Sequence, residues 1–84
     1  MKHIFVIYGP PASGKTQLTK LLRKDKNILV IDDYIDDEVD IDNTLCAIQT
    51  TEASNIIIVT NKCPRHLLVE IGLANYDVTE FEAK

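Results

Sequence analysis

No apolar run in this 84-residue chain approaches the roughly 20 residues needed to span a bilayer, which excludes a membrane-crossing helix. The first eight residues are mostly apolar, but they run straight into Gly9-Pro10-Pro11. A signal peptide needs a longer apolar region and a small-residue cleavage site, so the expected location is the cytoplasm. Cysteine is scarce: Cys46 and Cys63 are the only two and form no CxxC pair. That argues against a zinc site or a disulfide framework and for two reduced thiols packed as small apolar groups. Arginine is equally scarce, with Arg23 and Arg65 the only two. Internal repeats, low-complexity stretches and linkers are also missing, so residues 1–84 are expected to form a single domain.

What the chain does have is charge concentrated in one place. The net charge is −4. Seven acids fall between positions 32 and 42: Asp32, Asp33, Asp36, Asp37, Glu38, Asp40 and Asp42. The remainder carries nine bases against six acids. Overall charge therefore gives no support to nonspecific nucleic-acid binding, although a local basic face stays open as a means of contacting nucleic acid.

Strand-like and helix-like segments alternate. Residues 2–8, 28–32 and 55–60 are short β-branched apolar runs that end at polar or breaker residues, as buried strands do. Residues 15–24 place Leu18, Leu21 and Leu22 on one face of a helix. Residues 42–53 read as a second helix, capped by Asp42 or Asn43. Pro64 suits the first turn of a third, ending near Ile71 with Gly72 as its stop. Residues 76–81 form a weaker fourth strand at an edge. This alternation predicts an α/β protein with a three-layer αβα fold. Its parallel sheet has about four strands in the order 2-3-1-4, with about three helices.

The most specific motif is Gly9-Pro10-Pro11-Ala12-Ser13-Gly14-Lys15-Thr16, in which every fixed position of a P-loop is filled between a strand and a helix. Gly9 and Gly14 allow backbone angles that a side chain would obstruct. The loop amides and the helix start would face an anion. Lys15 would meet the β and γ phosphates, and the Thr16 hydroxyl would meet Mg²⁺. Gln17, next in the chain, completes the expected nucleotide-contacting set. The expectation is a P-loop NTPase-like fold that binds a nucleoside triphosphate, ATP with Mg²⁺ foremost.

Ligands of open parallel sheets sit at the carboxyl ends of the strands, which directs attention to Asp32-Asp33-Tyr34 and Thr60-Asn61. An apolar strand ending in acid suits Asp32 to Mg²⁺ and Asp33 to polarising a water. The amide of Asn61 could orient that water; a turn or cap role for it weighs equally. Tyr34 reads as packing first and as a base-stacking group second. The acids from Asp36 to Asp42 read as a solvated loop.

The three segments Gly9–Thr16, Ile28–Tyr34 and Ile56–Pro64 together resemble the A, B and C motifs of superfamily 3 helicases and related AAA-type ATPases. The resemblance implies that Lys15 and Thr16 serve phosphate and metal, Asp32 and Asp33 serve Mg²⁺ and water, and Asn61 is the polar sensor. The A-to-B spacing is shorter than in that family and no segment for gripping DNA is evident. The resemblance thus implies a minimal ATPase core, open to acting as a homo-oligomer, rather than a helicase.

Two other functions remain open beside Mg-dependent ATP hydrolysis. One is a small-metabolite or nucleoside kinase, in which an acid at the second strand accepts a substrate hydroxyl proton. The other is a regulatory nucleotide-binding module without turnover, because so small a chain has little with which to exclude water. Strand order bears on the choice. A strand ending at Asn61 that lies between the other two favours the ATPase; the Asp32 strand lying directly beside the P-loop strand favours the kinase.

Overall fold

A computed structural model describes residues 2–9 and 26–82, with Asp33 described in its backbone only. Four strands form one sheet: β1 (His3–Tyr8), β2 (Ile28–Tyr34), β3 (Asn55–Thr60) and β4 (Asp77–Glu82). All pairings are parallel, and the strand order is β2-β3-β1-β4, as expected. Two helices are described, α1 (Glu38–Thr50) and α2 (Arg65–Leu73), against about three expected. The helix expected over 15–24 lies outside the described residues. No helix among the described residues is long and apolar enough to cross a membrane.

Apolar content explains the strand order. β3 is buried on both faces, from Ile56 through Thr60, and takes an inner position. A strand buried on both sides reads as an unbroken apolar run, which Ile56-Ile57-Ile58-Val59 is. β4, with Asp77, Glu80 and Glu82 exposed, stands at an edge, where charged side chains discourage pairing with another chain. Both helices connect strands in the same direction across the sheet, β2 to β3 and β3 to β4. Right-handed crossovers then put α1 and α2 on one face, where they contact each other. The core lies beneath them: Ile4 and Val6 from β1, Ile56 and Ile58 from β3, Tyr34 from β2, Ile48 from α1, and Leu67 and Ile71 from α2. The register sets Ile4 beside Ile56 and Val6 beside Ile58, so these four line the same face.

Both helices differ from expectation at their ends. α1 starts at Glu38, four residues before the expected position, because Asp37 caps it: its carboxylate accepts the Asp40 N–H at 2.8 Å. Glu38 and Asp40 in the first turn also suit the positive end of the helix dipole. In α2, Gly72 is inside the helix rather than its stop. Asn75 instead takes the left-handed conformation, with φ of 61° and its N–H bonded to the Gly72 carbonyl at 3.1 Å. Asparagine is the residue besides glycine that tolerates this conformation best.

Candidate functional site

The chain reverses direction at β1. It leaves β1 for β2 on one side, and then returns through β3 to β4 on the other. In open α/β sheets such a reversal opens a crevice at the carboxyl ends of the two strands that flank it, here β1 and β3. Gly9 follows the last residue of β1, and Asn61 follows the last residue of β3. The two ends are joined directly: the Gly9 N–H donates to the Thr60 carbonyl at 3.3 Å. Gly9 is buried and has φ of 155°. Asn61 is exposed beside it. Pro10, Pro11, Ala12, Ser13, Gly14, Lys15, Thr16 and Gln17 lie outside the described residues.

β2 joins the same edge through the side chain of Thr60, whose hydroxyl donates to the Tyr34 carbonyl at 2.9 Å. Two bonds, one from Gly9 and one from Thr60, thus tie three strand ends together. With strands spaced about 4.8 Å apart, the acidic pair of β2 lies roughly 10 Å from β1, across β3.

Asp32 and Asp33 occupy a break in register. Ile31 pairs with Ile58 and Tyr34 with Thr60, so Asp32 and Asp33 together oppose Val59 alone. This β-bulge, rare in a parallel pair, shifts the alternation of side chains by one. Leu29 and Ile31 pack on the core; after the extra residue Tyr34 falls on that face too. Asp32 is half-buried and lines a cavity of about 250 Å³ with Tyr34, Asp40 and Asn43.

Tyr34 is 4% exposed, which makes it a core residue rather than a stacking platform. Its hydroxyl donates to Asp36 at 2.8 Å. Burial first, and then that bond to a carboxylate, push its pKa well above the usual phenol value.

Of the acids expected to form a solvated loop, Glu38 and Asp42 are exposed, though on α1, and the other three bind backbone. Asp36, Asp37 and Asp40 all accept backbone N–H groups: Asp37 caps α1, and Asp40 takes the Ile35 N–H at 3.0 Å. Asp36 reaches furthest. Pro64 at the head of α2 offers no side-chain cap, so Asp36 supplies one from the β2–α1 loop. It accepts the N–H groups of His66 at 3.0 Å and Leu67 at 3.2 Å, and its carboxylate also meets the His66 ring at 2.9 Å. The spacing of 30 residues hides this cap from any local reading of the sequence.

Burial pushes the Asp36 carboxyl up, but the bonds from the His66 backbone, Tyr34, the His66 ring and Leu67 outweigh it, and the net pKa is lowered. A carboxyl whose folded pKa lies below its unfolded one contributes stability above the unfolded value. That contribution is lost as pH falls through the folded value. Asp36→Ala is expected to cost about 1–2 kcal/mol at neutral pH, the range for losing a helix cap and a charged acceptor. Urea unfolding at pH 7 and at pH 3 checks this: the gap between the wild type and Asp36→Ala should narrow at the lower pH. An unchanged gap would show that the carboxylate's charge is not what matters.

Among the described residues no group of three or more His, Cys, Asp or Glu side chains could hold a metal. Of the residues expected at Mg²⁺, Asp32 is described and Thr16 is not. Cys46 and Cys63 are both free thiols. No family model, curated protein or solved structure matches the chain.

Proposed function

We propose that this chain is a P-loop NTPase-like protein that binds ATP with Mg²⁺ through Gly9–Gln17 and hydrolyses it. The observation that carries the reading is the junction of Gly9 with Thr60 at the point where the sheet reverses direction. A complete Gly-x-x-x-x-Gly-Lys-Thr motif begins at the strand end where a parallel sheet of this order takes its ligands. Phosphate would be held by the loop amides and by Lys15. Thr16 and Asp32 would hold Mg²⁺, which neutralises phosphate charge. Because β3 stands between β2 and β1, Asp32 would act on the metal through water.

Hydrolysis is favoured over a passive binding role by what stands at the neighbouring strand ends. β3 lies between β1 and β2, the order expected of an ATPase in which a polar residue faces the γ-phosphate. Asn61 at that end would orient the attacking water, and Asp33 would accept its proton. The second reading, a small-metabolite or nucleoside kinase, is the one favoured by an Asp32 strand directly beside the P-loop strand, and here β3 stands between them.

Phosphate release from MgATP separates the two readings. Wild-type turnover should fall at least about 100-fold in Asp33→Asn, the usual scale for removing a general base. In Asn61→Ala it should fall by roughly tenfold or more, as when one orienting hydrogen bond of about 1.5 kcal/mol is lost. Bound ATP with no phosphate released would reject hydrolysis and turn the search to hydroxyl acceptors.

A further inference from the structure

We propose that the groove between α1 and α2 is a docking surface for a basic amphipathic helix of a partner protein. The groove encloses about 740 Å³ on the helical face, and Asp36, Asp37 and His66 line its end nearest the carboxyl ends of the strands. Its floor is apolar: Ile41 and Leu45 from α1, and Val69 from α2. Ile41 and Leu45 stand one turn apart on a single face of α1, together with Glu38 and Asp42. Val69 is 61% exposed, and one turn further along α2 Leu73 is 75% exposed. Val69 lines the groove while Leu73 lies beyond its lining, and an open apolar side chain in an apolar groove is a common mark of an interaction site.

The rim is acidic. Glu38 and Asp42 on α1 face Glu70 on α2 across the groove. Unlike Asp36, Asp37 and Asp40, which are committed to backbone N–H groups, these three make no ion pair or side-chain hydrogen bond among the described residues. An apolar floor between unpaired acids selects an occupant with an apolar stripe flanked by lysine or arginine. The dimensions suit a helix, because α1 with its 13 residues offers about 20 Å of wall, or between three and four turns.

The charge also rules against other occupants. A second copy meeting this face across a two-fold axis would set acid against acid. Nucleic acid and anionic lipid would be repelled in the same way.

The test uses the full chain and a fluorescein-labelled synthetic helix of about 14 residues (~20 Å), with leucines at i, i+3, i+4 and i+7 and lysines flanking them. Anisotropy should show saturable binding that weakens about tenfold in the double variant Asp42→Lys with Glu70→Lys, since two attractive pairs become repulsive. Val69→Ser should weaken it as well. Far-UV circular dichroism checks that the variants fold. A peptide carrying glutamate in place of lysine, which needs no change to the protein, should fail to bind. The proposal is overturned by equal binding of the acidic peptide, by unchanged affinity in folded variants, by absence of binding at low salt, or by self-association of the chain that the double variant abolishes. The last result would assign the groove to a second copy.

Discussion

Lys15→Ala is expected to lower affinity for MgATP by at least about 100-fold while leaving the fold intact. The reasoning is electrostatic. A lysine ammonium about 4 Å from a phosphate oxygen is worth on the order of 4 kcal/mol at an effective dielectric near 20, and losing it costs two to three powers of ten in binding. Lys15 is also the one full positive charge within Gly9–Gln17. The loop amides would remain in the variant, so weak residual binding of phosphate is expected, not a complete loss. Competition against a fluorescent ATP analogue measures the change. Circular dichroism that matches the wild type would show that affinity, not folding, was lost. An affinity within about threefold of the wild type would mean that the P-loop sequence does not bind nucleotide in this chain.

The second large effect is on stability. Ile58 lies at the middle of β3, fully buried, with Val6 on one side in the sheet and Ile31 on the other. Ile58→Ala should cost about 3–4 kcal/mol, from lost transfer energy plus the cavity left behind. A chain of 84 residues has only about 4–12 kcal/mol in total, so the variant should lose roughly a quarter or more of its stability. Ile58→Val, which removes one methyl group, should cost roughly 1 kcal/mol. If the chain binds MgATP, ligand at about 100 times its Kd should restore about 2.7 kcal/mol to Ile58→Ala, because only the folded state binds. Urea midpoints with and without MgATP read both effects. A cost below about 1 kcal/mol for the alanine variant would mean that β3 is not the centre of the core.

The strands were legible in the sequence because their signal is local. β1, β2 and β3 are each an apolar, β-branched run that ends at polar or breaker residues, and β3 matches its expected limits to the residue. The strand order was legible as well, since parallel strands joined by helices admit few arrangements. Some features that escaped the reading depend on contacts distant in sequence: Asp36 caps α2 from 30 residues away. Asp37 and Asp40 bind backbone only three and five residues away, a local cap that the expected helix start at Asp42 or Asn43 passed over. The bulge at Asp32-Asp33 depends on how β2 registers against β3, and pattern alone extends the alternation unbroken. Gly72 looked like a helix stop because glycine usually is one; Asn75 holds that place instead. For the candidate site, strand order carries Gly9, Asn61 and Asp32 to one edge of the sheet, and the motif between them was legible from its residues alone.

The most direct test of nucleotide binding is calorimetric titration of the chain with ATP, with and without Mg²⁺, for the wild type and Lys15→Ala. The account predicts saturable one-to-one binding with Kd below about 100 μM, tightened by Mg²⁺ and weakened at least about 100-fold in the lysine variant. Absence of binding at millimolar ATP, or binding that Lys15→Ala leaves unchanged, would contradict it.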